Sequence, residues 1–137
     1  MIVVDTNVWS EATKAAPDPL VREWARNNAK EAWLSVIVLA ELRGGAAWMD
    51  LGKRRLAFES EFDKLATDFA DRLLLFDAET SLFYAKVLER SKRLGKPIGT
   101  ADAMIAATAL QHNMAVATRN LSDFAGAGVE LINPWEE

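Results

Sequence analysis

The sequence predicts an α/β domain built on a mostly parallel sheet of four to five strands. Short apolar runs without alternation, Ile2-Val3-Val4 first among them, suit strands buried on both faces. Longer stretches of helical spacing separate those runs, which is the pattern of βα units. The 137 residues carry no repeat, low-complexity segment or linker, and half are hydrophobic. Residues 1–137 therefore read as one domain with a sizeable core.

Taken in order, Ile2 to Val4 is the first strand and ends at Asp5. A helix follows from about Thr6 to Lys14. Pro17-Asp18-Pro19 punctuates the chain before a second helix from Leu20 to Asn28. Ala32 to Ser35 is the second strand, and Ser35 caps a helix covering Val36 to Met49. Leu56, Phe58, Phe62, Leu65 and Phe69 give helical spacing to the stretch from Lys53 to Arg72. Leu73 to Phe76 is the third strand. A helix from Glu79 to Leu94 stops at Gly95. Thr100 caps a helix running to Asn113, Ala115 to Thr118 is the fourth strand, and Val129 to Ile132 is the fifth. Right-handed crossovers make helices run antiparallel to the strands, so helix N-termini share an edge with strand C-termini. Ligands bind at that edge.

Composition excludes several classes. With no cysteine there are no disulfides and no thiolate metal sites. The opening MIVVDTN has no basic region and no long apolar stretch, so it does not read as a signal peptide. No apolar run approaches the ~20 residues of a membrane span. The expectation is a soluble, cytoplasmic protein. A net charge of −4 speaks weakly against a nucleic acid partner. Basic residues nevertheless cluster at Lys86, Arg90, Lys92, Arg93 and Lys96, and again at Arg43, Lys53, Arg54 and Arg55.

Four acids fall at the predicted ligand edge. Asp5 ends the first strand, Asp123 follows the fourth, Asp102 lies in the first turn of its helix, and Glu41 lies in the second turn after Ser35. Each has a plainer account. Asp5 alone reads as a helix cap. Asp102 complements a helix dipole. Asp123 serves a loop or a short turn. Glu41 interrupts an apolar helix and needs a partner, for which Arg43 or Arg119 would serve. If the four meet, two carboxylates ~4 Å apart repel by ~4 kcal/mol at an effective dielectric of 20. Hard divalent cations relieve that conflict, and an acidic cluster holding them suits phosphodiester hydrolysis. His112, the one histidine, reads as a surface residue near a helix end.

The segments VVDTNVWSE, LSVIVLAELRGG, GKPIGTADAMIAATAL and AVATRNLSDFAGAGVELINPWEE resemble, in that order, the PIN-domain toxins of bacterial toxin–antitoxin modules. The likeness is to the VapC group and its FitB-like branch, and it spans the chain. It implies a three-layer α/β/α fold and a Mg²⁺-dependent endoribonuclease, with Mn²⁺ as a substitute. It also implies a cognate antitoxin, an RNA substrate and a homodimer. Asp5, Glu41, Asp102 and Asp123 match the family's acidic positions, with Asp5 and Asp102 the first choices as metal ligands. Thr6, Asn7, Thr118 and Asn120 match its supporting polar residues. Arg119 and Arg43 read equally as phosphate contacts and as salt bridges that neutralise the acidic edge. The basic stretch from Lys86 to Lys96 reads as a solvated helix face before an RNA track.

Of the five tryptophans, core or interface packing is the expectation for most. Trp48 and the Phe58–Phe69 stripe offer a face to a second subunit or an antitoxin helix. Asn133-Pro134-Trp135 pins the C-terminal segment, and Gly44-Gly45 weakens the Glu41 helix and permits close packing. Two rivals remain. An aspartyl-nucleophile phosphatase or phosphotransferase wants a second aspartate where this chain has Asn7. A non-catalytic RNA- or protein-binding module would bind without cleaving.

Overall fold

Five parallel strands run in the order β3-β2-β1-β4-β5 in this computed structural model, which describes residues 1–136. They are β1 (Ile2–Val4), β2 (Ala32–Ser35), β3 (Leu73–Leu74), β4 (Ala115–Ala117) and β5 (Leu131–Ile132). The helices are α1 (Thr6–Ala12), α2 (Pro19–Asn27), α3 (Val36–Ala47), α4 (Lys53–Asp68), α5 (Ala78–Leu94) and α6 (Thr100–Gln111).

The strands alternate sides, and both sides are covered, giving three α/β/α layers. Val3, Leu34 and Val116 join one core with Val38 and Leu42 of α3, Phe62 of α4, Val87 of α5 and Ile105 of α6. Ile2, Val4, Ala32 and Ala117 face the other way, toward Val8 of α1 and Val21 of α2. Two buried faces explain why the strand segments read as unbroken apolar runs. No helix among the described residues is long and apolar enough to cross a membrane.

Several local expectations shift. The helix over Lys53 to Arg72 breaks after Asp68, and a 3₁₀ turn takes Ala70–Arg72. There Arg72 donates to the carbonyls of Ala29 and Ala32, both at 2.9 Å, tying the turn to β2. Thr100 is the first residue of α6 rather than its cap; Gly99 holds the cap position without a side-chain bond. Gly95 ends α5 in the left-handed conformation at φ 64°, which suits glycine. A Cβ added to Gly44 or Gly45 would meet nothing within 4 Å, so these glycines admit no close neighbour, contrary to expectation.

One helix also breaks the directional rule. Thr80, in the first turn of α5, donates its hydroxyl to Gln111 Oε1 at 2.6 Å, and Gln111 is the last residue of α6. The two helices are therefore antiparallel. The crossover from β3 to β4 carries both, and α6 must descend to deliver the chain to β4, so α5 climbs alongside the strands.

Candidate active site

The register of two neighbouring strands builds the centre. Val4 pairs with Ala117 across β1 and β4, so the next residues, Asp5 and Thr118, stand side by side beyond the sheet. The Asp5 backbone N–H donates to the Ala117 carbonyl at 2.9 Å. Thr118, fully buried, donates its hydroxyl to Asp5 Oδ2 at 2.7 Å. Asp5 Oδ1 accepts from the Thr6 backbone N–H at 2.8 Å, which is also the N-cap of α1. Asp5 thus caps α1 through one oxygen and meets Thr118 through the other.

The donor direction at Thr118 is forced. Its oxygen accepts from the Asn120 backbone N–H at 3.1 Å and from Asn7 Nδ2 at 3.3 Å. Asn7 Oδ1 in turn accepts from the Arg119 backbone N–H at 3.3 Å, which fixes the amide orientation. With both lone pairs engaged, the hydroxyl proton points only to Asp5. That bond favours the ionised carboxylate, yet the carboxyl lies above its ordinary value. Burial raises it most, the Thr118 and Thr6 hydrogen bonds pull it back, and the charges of Glu41 and Asp123 raise it further.

Glu41 Oε1 accepts from the Thr6 hydroxyl at 2.6 Å. It is exposed rather than buried in an apolar helix, and neither Arg43 nor Arg119 pairs with it. Arg43 binds Asp63 instead, at 2.8 Å. The Asp102 carboxyl, half-buried in the first turn of α6, is pushed up to about 6, first by burial and then by the charges of Asp5, Glu41 and Asp123. Asp123 is exposed in a 3₁₀ turn over Leu121–Phe124. Its charge reaches Asp5 and Asp102, but it does not line the cleft.

That cleft holds about 380 Å³ and is lined by Asp5, Thr6, Asn7, Ser10, Glu11, Lys14, Glu41, Asp102, Arg119, Asn120 and Trp135. The structure thus brings Asp5, Glu41 and Asp102 to one opening and leaves Asp123 at its outer side. Among the described residues no basic side chain is within ion-pair distance of any of the four. The donor chemistry fits a hard dication: carboxylates and hydroxyls, with mutual repulsion that a cation would relieve. As placed, no three acidic or imidazole side chains among the described residues stand close enough together to hold an ion. The fit is therefore one of donor type and charge. His112 is exposed at the C-terminal end of α6 and takes no part.

Sequence reading missed four residues of the lining. Ser10, Glu11 and Lys14 follow Asn7 at helical spacing, so that signal was available. Glu11 is buried, and its carboxyl is held below the ordinary range, first by a hydrogen bond from Lys14 at 2.9 Å, then by the Asp18 N–H and the charges of Lys14 and Arg119. Trp135, placed after the last strand, had no signal pointing to the cleft. The basic residues from Lys86 to Lys96 on and after α5 are exposed.

Comparison with known proteins gives a consistent result. The PIN domain profile matches residues 2–127. "VapC ribonuclease Y4jK" of Sinorhizobium fredii is 47% identical over 138 residues, covering 99% of each chain. "Toxin FitB" of Neisseria gonorrhoeae is 39% identical over 139 residues, covering 100% of both. The crystal structure of FitAcB from Neisseria gonorrhoeae matches with a TM-score of 0.93 at 38% identity, again over 100% of both chains.

Proposed function

The chain belongs to the PIN domain family, and on that premise we propose that it is a magnesium-dependent endoribonuclease, the toxin half of a toxin–antitoxin pair. One observation carries the reading. Asp5, Glu41 and Asp102, delivered by three elements distant in sequence, line one open cleft without a cation partner among the described residues. The names of the S. fredii and N. gonorrhoeae relatives support the ribonuclease and toxin parts.

Asp5 and Asp102 would hold the Mg²⁺ or Mn²⁺, with Glu41 and Asp123 completing its surroundings directly or through water. Bound there, the ion would supply Lewis acidity toward the phosphodiester and toward water. The chain's own groups prepare that position. Thr118 fixes Asp5 and favours its ionised form against the effect of burial, Thr6 holds Glu41 toward the cleft, and Asn7 orients Thr118. Asn120 anchors the same hydroxyl through its backbone, and Arg119, on the cleft lining, would face the RNA strand.

Residues 1–137 work as one PIN domain in the cytoplasm in this reading. An antitoxin and a second copy of the chain are its protein partners. Support comes from the α3–α4 junction, where Trp48, Leu51 and Leu56 are 92%, 86% and 64% exposed and offer apolar surface to cover. The test is cleavage of total cellular RNA by purified protein with Mg²⁺, with chelator, and with Asp102→Asn. Cleavage should need the metal and vanish in the variant. Undiminished cleavage after exhaustive metal removal would overturn the proposal.

A further inference from the structure

Two cations line the cleft, and their situations differ. The Lys14 ammonium is 2.9 Å from the buried Glu11 carboxylate, so its charge is already matched. Arg119 is exposed and has no carboxylate at ion-pair distance among the described residues. Its guanidinium lies over the Trp135 ring, 5.1 Å from the centroid.

Trp135 is itself firmly placed. Pro134 before it is fully buried, the Trp135 backbone N–H donates to Asn133 Oδ1 at 3.0 Å, and the ring packs against the core formed by Ile2, Val4, Val8 and Ala117. At its other end Arg119 is tied through its backbone N–H to Asn7. The arginine is thus held at both ends. A planar cation already resting on an aromatic face loses less conformational freedom on meeting a phosphate than a free one does.

We propose that Trp135 is a substrate-positioning residue: it holds the Arg119 guanidinium at the cleft mouth as a pre-set contact for a phosphodiester of single-stranded RNA flanking the one cleaved. This rests on the nuclease reading and adds to it how the strand is held.

The test is a double-mutant cycle in the Asp102→Asn chain, chosen to leave the RNA uncut. Binding of an unstructured, fluorescently labelled RNA oligonucleotide is measured in Mg²⁺ across a salt series for the background, Arg119→Ala, Trp135→Ala and the combination. Arg119→Ala should weaken binding and flatten the log affinity against log salt slope by about 0.7, one phosphate contact to a single strand. Trp135→Ala should weaken binding roughly two- to five-fold, as expected for an exposed cation–aromatic contact. Its slope should stay as in the background. In the Arg119→Ala protein the tryptophan substitution should add nothing, and Trp135→Phe should retain most of the affinity. An equal Trp135→Ala loss with and without Arg119 would overturn the proposal in favour of direct base stacking. An unchanged slope in Arg119→Ala, or no binding by any of the four, would overturn it as well. Cleavage by the wild-type chain is scored separately. Its absence beside an intact cycle would sink the nuclease reading alone, and its presence beside uncoupled variants would sink only this inference.

Discussion

Replacing Asp102 with asparagine should stabilise the protein at neutral pH when no metal is present. Its carboxyl is pushed from an ordinary 3.8 to about 6 by burial and by three neighbouring acids. At ~1.4 kcal/mol per pH unit, that rise would burden the ionised form by ~3 kcal/mol if the group were shut off from water. Asp102 opens on the cleft, and solvent screening lowers the figure to ~1 kcal/mol. The sign follows from linkage. The folded chain binds this proton more tightly than the unfolded chain, so the stability is fully present below the ordinary value of 3.8 and is lost as pH rises through about 6. Asp102→Asn carries no charge at any pH. In chelator at about pH 7.5 it should melt ~4 °C above the wild type, and at about pH 4 the two should coincide. Thermal unfolding followed by circular dichroism reads both. Equal melting at the higher pH, or the same gain at both, would refute the claim that burial and like charges together disfavour an ionised Asp102.

Three further outcomes follow from the same geometry. Thr118→Val leaves Asp5 Oδ2, Asn7 Nδ2 and the Asn120 N–H without their shared partner; urea unfolding should show a loss of ~2 kcal/mol. Thr6→Val frees Glu41 from its 2.6 Å hydrogen bond, and cleavage should slow ~10-fold while the melting temperature stays near that of the wild type. A Cβ at Gly126 would stand 2.9 Å from the Lys96 carbonyl oxygen. Gly126→Ala should therefore cost ~2 kcal/mol in the same unfolding assay.

The sequence by itself determined the order and kind of the elements, because hydrophobic period and helix stops are local properties. Ile2–Val4, Ala32–Ser35 and Gly95 at the end of α5 lie where the pattern puts them. The edge position of Asp5, Glu41 and Asp102 was also legible, since it needs only strand ends and helix starts. Tertiary structure decided what those acids touch. The Asp5–Thr118 bond depends on the register of β1 against β4, and Glu41 meeting Thr6 depends on α3 packing against α1. The climb of α5, the outward place of Asp123 and the reach of Trp135 under Arg119 have the same origin. Register, helix direction and the landing point of a terminal segment are set by long-range packing, and local residue pattern carries little record of them.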